Sequence, residues 1–276
     1  MNKKRLELTD VDLMIFDMDG VIYIGAEPIQ HAVESVKKYY NLNKKIAFFT
    51  NNSTLTGQAY IKKLDCMSIN CHLEQIYTSS TVSSKAITEQ YGEKSMAFVV
   101  GEEGLIKSLE NNNIQILNNR YNTDEIIKNN EIRCDFVVAG LDRRLTYEKL
   151  AAATQLINRG AEFYATNDDS SLPHKYGFLP GAGAVVSAIS VASGRSPLKT
   201  FGKPSPEGIM QILDFYKVPA HKAVMIGDRP ETDILCAKNA GISSVLVLTG
   251  VTSEKDICSI PQNLFPDIII NNLAEL

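Results

Sequence analysis

Leu13-Met14-Ile15-Phe16-Asp17-Met18-Asp19-Gly20 is the stretch whose reading decides the fold. Asp12 to Asp17 reads as a strand, because a short unbroken apolar run is what a parallel strand buried on both faces requires. The run stops in an acidic turn. Two carboxylates two residues apart point to opposite faces while the chain is extended, but a turn can bring both to one side. Gly20 permits the backbone angles such a turn needs.

Working outward, the same pattern recurs. A helix is predicted over Ile29 to Tyr40, with Pro28 placed where an N-terminal proline belongs. Ile46 to Phe49 is a second buried strand that runs into Thr50-Asn51-Asn52-Ser53, and helices follow at Leu55 to Leu64 and Ser80 to Tyr91. Far along the chain, Lys199 to Phe201, Ala223 to Ile226 and Ser244 to Leu248 are strands of the same style. Helices at Pro206 to Tyr216 and Thr232 to Asn239 separate them, the second ended by Gly241. Pro266 to Ile270 adds an edge strand. Such alternation predicts an α/β fold with a Rossmann-like parallel-sheet core and helices on both faces. The middle has its own rhythm, with strands at Ala97 to Val100, Phe136 to Ala139 and Glu162 to Ala165 and helices near 102–112 and 146–159. It is expected to be an α/β domain, 89–197, inserted into a core made of 1–88 and 198–276. A loop insertion leaves the outer sheet intact because the ends of a domain often lie close together.

Composition bounds the function. The 276 residues are 44% hydrophobic and 22% charged, as in an ordinary globular protein with a real core. A net charge of -4 and a pI near 5.7 argue against nucleic acid as a partner, since that needs a clustered basic surface. Met1 to Arg5 resembles the charged start of a signal peptide, but Leu6-Glu7-Leu8-Thr9-Asp10 supplies no apolar segment after it. No run approaches the roughly 18 apolar residues of a membrane span. A cytoplasmic protein without a membrane partner is expected, and homo-oligomerisation stays open. Five cysteines at irregular spacing form no CxxC pair, and Cys134 and Cys236 read as small core residues.

Four strand ends carry groups suited to phosphoryl chemistry, and ligands of open parallel sheets bind outside the carboxyl ends of the strands. In Asp17-x-Asp19-Gly20 one carboxylate can attack phosphorus while the other handles the proton of the leaving group. Taken alone, the tetrad also fits a solvated Asp-Gly turn. Thr50-Asn51-Asn52 offers a hydroxyl and backbone N–H groups as a neutral phosphate cradle, or else a plain helix cap at Ser53 or Thr54. Lys203, in Phe201-Gly202-Lys203-Pro204, can offset negative charge, although an isolated lysine in a proline turn more often lies on the surface. In Gly227-Asp228-Arg229-Pro230-Glu231-Thr232-Asp233, Asp228 is a hard oxygen ligand of the kind magnesium prefers. Asp233 can hold Lys203 or a metal-bound water, or complement the start of a helix.

Together these segments resemble the four motifs of the haloacid dehalogenase-like superfamily. Phe201 to Pro206, Gly227 to Ile234 and Leu248-Thr249-Gly250-Val251-Thr252 resemble its NagD-like branch, which includes p-nitrophenyl phosphatases and pyridoxal phosphatase. The long insertion between the second and third motifs fits that branch's α/β cap. The resemblance implies Asp17 as nucleophile and magnesium ligand. It implies Asp19 as acid and base, touching the metal through its backbone carbonyl. Thr50, Asn51 and Lys203 would bind the phosphoryl group, Asp228 would bind magnesium, and Asp233 would support the site. The superfamily's dehalogenases lack the second acid and need no magnesium, so Asp19 and Asp228 point to a phosphatase of small soluble phosphomonoesters such as sugar phosphates, nucleotides or p-nitrophenyl phosphate. A phosphotransferase or phosphomutase using the same aspartyl-phosphate fits the same residues. A non-catalytic phosphoester-binding protein fits less well, because Asp17, Asp19, Lys203 and Asp228 are all present. In the cap, Asn167, Asp168, His174 and Gly181 are the candidates for reading the substrate, with His174 better explained as structural or exposed.

Overall fold

The computed structural model describes residues 10–174 and 176–276, with the backbone alone at Pro173 and His174. In chain order the first strands are β1 (Leu13–Phe16), β2 (Tyr23–Ile24), β3 (Glu27–Pro28), β4 (Lys45–Thr50) and β5 (Ile76–Thr78). Then come β6 (Met96–Val100), β7 (Gln115–Ile116), β8 (Phe136–Ala139), β9 (Glu162–Ala165), β10 (Ser171–His174), β11 (Gly177–Pro180) and β12 (Lys199–Thr200). β13 (Ala223–Gly227), β14 (Ser243–Val247) and β15 (Ile268–Ile270) end the series. The helices are α1 (Ala32–Asn41), α2 (Gly57–Cys66), α3 (Ser79–Tyr91), α4 (Glu103–Asn111), α5 (Thr123–Lys128), α6 (Tyr147–Asn158), α7 (Ala182–Ser193), α8 (Glu207–Tyr216) and α9 (Leu235–Asn239). Among the described residues, no helix is long and apolar enough to cross a membrane.

The chain forms two compact units. The first comprises the described residues up to Thr50 together with Gly57–Tyr77 and Lys203–Leu276. Its sheet has the order β15-β14-β13-β1-β4-β5, and the registered pairs of β1 with β4 and β13, and of β14 with β13 and β15, are parallel. Successive residues of a strand point to opposite faces, and both faces here are covered. Met14 and Phe16 of β1, Ile46 and Phe48 of β4, and Val224 and Ile226 of β13 join one apolar cluster with Val36 of α1 and Tyr60 and Leu64 of α2. On the other face Phe49 meets α8 so closely that a Cβ on Gly208 would strike its ring. That double burial explains why the strands read as unbroken apolar runs. The chain leaves β1 toward β4 on one side and later returns to β13 on the other, so the sheet reverses its winding beside β1. In open α/β sheets, that reversal point opens a crevice for ligands.

The second unit comprises Asn51–Thr56 and Thr78–Gly202. Its sheet has the order β12-β9-β8-β6-β7, all parallel, and its core gathers Phe98, Val137, Leu156, Phe163 and Ile189 among others. β10 and β11 form a separate antiparallel hairpin.

The division differs from the expected limits of 89 and 197. Helix α3 sides with the second unit because its buried serines bond there: Ser84 Oγ donates to Ser108 O at 2.5 Å, Ser80 Oγ to Ser53 O at 2.8 Å, and Ser79 Oγ to Asn51 O at 2.5 Å. The expected core strand Lys199 to Phe201 is also reassigned, since its residues Lys199 and Thr200 pair with Tyr164 and Ala165 of β9. The predicted helix Thr232 to Asn239 divides into a wide turn, Pro230–Ile234, and the short α9.

Candidate functional site

Asp17, Thr50 and Asp228 lie at the ends of strands of the first unit. Asp17 is the residue after β1, and its N–H donates to Ile226 O at 2.8 Å, tying the start of the acidic turn to β13. Gly20 has a φ of +84°, so the turn uses the left-handed freedom that glycine supplies. Thr50 is the last residue of β4, and Asp228 follows the end of β13. Lys203 arrives differently. It lies in the loop before α8 instead of at the tip of a strand of this sheet.

Lys203 is the centre of the charge arrangement. Its ammonium donates to Asp17 Oδ1 at 2.6 Å, to Asp233 Oδ1 at 2.6 Å and to Phe49 O at 3.2 Å, and its side chain is 3% exposed. Burial pulls a lysine's pKa down, but Asp17 and Asp233 more than offset it, so Lys203 is held above its usual range as a permanent cation. Asp233 is fully committed: its Oδ1 takes Lys203, and its Oδ2 accepts the backbone N–H groups of Asp228 (3.2 Å) and Arg229 (3.1 Å). Its position in the wide turn after β13 makes this reach-back possible. A Cβ on Gly227 would collide with the Asp233 side chain.

Asp17, Asp228 and Asp233 each present an oxygen within 4.8 Å of the others, all three being buried. One ammonium faces three carboxylates, and the excess charge shows. Desolvation pushes the Asp17 carboxyl well above the usual range, with Lys203 opposing and Asp233 and Asp228 adding to the rise. Desolvation, then Asp233, pushes Asp228 up to about 7. Asp228 Oδ2 accepts Val251 N–H at 2.6 Å, whereas Oδ1 is buried with no hydrogen-bond partner among the described residues. An unsatisfied buried carboxylate oxygen costs about 1–3 kcal/mol or more. Gly20 and Gly250 crowd the same carboxylate so tightly that a Cβ on either would overlap it. A hard divalent cation fits this donor set, since it would satisfy the orphaned oxygen and offset the surplus negative charge.

Asp19 lies on the rim, its side chain exposed, although enough protein surrounds the carboxyl to hold it above the ordinary range by desolvation. Lys63, the next largest influence, opposes that rise. Asn51 opens the segment assigned to the second unit. Its Nδ2 donates to Asp169 Oδ1 at 3.2 Å, while its carbonyl accepts Asn167 Nδ2 at 2.8 Å. Asn167 is therefore buried and committed to holding the chain at Asn51. Asp168 is exposed. Gly181 starts α7 against the Asp169 carbonyl, where a Cβ would collide. His174 ends β10, and its side chain lies outside the described residues.

Sequence reading missed several contributors. Val251 reaches Asp228 with a backbone N–H, and Thr249 Oγ1 donates to Gly20 O at 2.8 Å. The stretch Leu248 to Thr252 marks the place, but nothing in it announces those bonds. Tyr23 and Lys63, which flank Asp19, also escaped notice.

Residues 14–115 match the family model described as haloacid dehalogenase-like hydrolase, and 200–276 match a second model of that kind. An acid sugar phosphatase of Staphylococcus aureus (strain MRSA252) is 36% identical over 263 residues, 95% of each chain. The crystal structure of a 4-nitrophenylphosphatase from Thermotoga maritima superposes with a TM-score of 0.88 at 34% identity, covering 97% of both chains. A glycerol phosphate phosphatase from Mycobacterium tuberculosis, solved in complex with magnesium, gives a TM-score of 0.86 at 28% identity over 97% of this chain and 76% of its own.

Proposed function

Since the chain belongs to the haloacid dehalogenase-like hydrolases and is a phosphatase, we propose that it hydrolyses small soluble phosphomonoesters with magnesium, through an aspartyl-phosphate on Asp17. The observation that carries this reading is the buried Lys203 bridge between Asp17 and Asp233, set beside the orphaned oxygen of Asp228.

In this reading Lys203 fixes the Asp17 carboxylate through Oδ1 and favours its charged form, opposing the burial that disfavours charge there. Asp17 attacks phosphorus, and the bond from phosphorus to the ester oxygen breaks as the new bond forms. Asp19 delivers a proton to the departing oxygen and then takes one from the water that hydrolyses the acyl phosphate. The Thr50 hydroxyl and the Asn51 N–H hold phosphoryl oxygens, and Lys203 balances their charge. Asp233 keeps Lys203 in place. Asp17, Asp228 and the Asp19 carbonyl are the groups that would hold magnesium, which, when bound, neutralises phosphoryl charge and orients the phosphate. Among the second unit's candidates, Asp168 is exposed and free of the structural duty that Asn167 performs, which favours it as the group that meets a ligand.

The test is a panel of sugar phosphates, glycerol phosphate, nucleoside monophosphates and p-nitrophenyl phosphate, assayed after chelation and after magnesium is returned. Activity should vanish and recover, and Asp17→Asn should lower kcat by about 10³-fold or more while folding is kept. Full turnover in chelator, or in Asp17→Asn, would reject the mechanism.

A further inference from the structure

Asp19 has a flank that the phosphoryl machinery above does not use. The turn after β1 closes on Tyr23: Gly20 N–H donates to Tyr23 O at 2.9 Å, Tyr23 N–H to Met18 O at 3.1 Å, and Asp19 and Tyr23 form an isolated bridge. The Tyr23 ring is fully buried, and its hydroxyl points at Asp19 Oδ2 from 3.4 Å. On the other side of that ring stands α2. Tyr60 and Lys63 are three residues apart and so share one face of the helix. Tyr60 is buried in the core, and Lys63 Nζ lies 3.3 Å from the centroid of the Tyr23 ring. A cation in contact with an aromatic face is held there electrostatically. The ammonium is half-buried, and Asp19 counters the burial that lowers its pKa.

We propose that Tyr23 and Lys63 are positioning residues that set the orientation of the Asp19 carboxyl, with Lys63 locking the Tyr23 ring and Tyr23 restraining Oδ2. The inference rests on the reading of Asp19 as the acid that protonates the leaving oxygen. A restrained Oδ2 leaves Asp19 one direction in which to deliver its proton. Loss of the restraint therefore weakens protonation of the departing oxygen more than it weakens binding or attack.

That difference can be read without reference to pH. p-Nitrophenolate departs readily with little protonation, whereas the alkoxide of glycerol phosphate needs the proton. kcat and KM are measured on both esters for wild type, Tyr23→Phe, Lys63→Met and Lys63→Arg, with thermal melts to confirm folding. Tyr23→Phe and Lys63→Met should lower kcat on both esters, with the alkyl ester falling about tenfold further, a fraction of the ~10²–10⁴-fold that acid catalysis supplies. KM should stay within about twofold, because uniform binding is untouched. Lys63→Arg should restore most of the loss. Equal losses on the two esters, or none, would overturn the proposal. Asp19→Asn is run alongside. If it discriminates between the esters and the other variants do not, this inference alone falls. If it does not discriminate, the assignment of Asp19 as acid fails, and the inference fails with it.

Discussion

A lysine as deeply buried as Lys203 is tolerated because two carboxylates meet it at 2.6 Å, and breaking a buried pair by removing one partner typically costs about 3–5 kcal/mol. The buried thiols show the same burial penalty without a salt bridge to offset it. Burial pushes Cys71 up to about 11 and Cys134 and Cys236 up to about 12, so all three stay neutral and unreactive near neutrality. Cys66 and Cys258 are exposed. Iodoacetamide at about pH 8 should therefore label Cys66 and Cys258 and spare the other three until the chain unfolds, because only the thiolate is nucleophilic. Peptide mapping checks this, and labelling of native Cys236 would contradict it. Reading Cys134 and Cys236 as core residues from their apolar neighbours was sound for Cys236, which is buried, and partly so for Cys134, which is half-buried. Lys63 was not legible, since a lysine on a helix with its usual polar neighbours looks like any solvated one.

Elements carry the next layer. β1, β4 and β13 were legible because both of their faces are buried, so nearly every residue in them is apolar and the first polar group marks the strand end. β12 was misplaced for a related reason: two residues hold too little pattern to say which sheet they join, and only the pairing with β9 decides. The hairpin of β10 and β11 was not legible because its strands lack alternation, all of β11 being exposed. The loop after β14 matters more than its sequence suggests. Gly250 passes so near Asp228 that a methyl group has no room. Gly250→Ala should therefore push the carboxylate from its place, raising the magnesium needed for half-maximal activity about tenfold and destabilising the fold by about 1–3 kcal/mol, the usual range for overpacking. Magnesium titrations and melting curves measure the two effects. An alanine variant with unchanged magnesium demand would mean that Asp228 does not hold the ion.

At the scale of the molecule, the acidic cluster draws on β1, β13 and the turn that follows β13, so an ion held there links parts of the first unit that are remote in sequence. Magnesium should raise the melting temperature. At a hundredfold excess over Kd the gain is about 2.7 kcal/mol, or roughly 5 °C for a chain of this size. Asp228→Asn should abolish the rise, and an equal rise in that variant would place the ion elsewhere. The α/β class and the presence of a distinct middle segment were legible from the rhythm of strands and helices. The membership of Asn51–Thr56 was not, because that piece belongs by hydrogen bonding to residues that follow only after Gly57–Tyr77. The carbonyls of Asn51 and Ser53 take the buried hydroxyls of Ser79 and Ser80, and the Thr54 carbonyl takes the N–H of Gly104 at 2.9 Å. The middle of this chain is consequently not a portable cassette. Excised as 78–202 it would leave those donors stranded in its interior, and a graft meant to exchange specificity with a relative has to be spliced at four junctions, carrying the six-residue piece along with the long one.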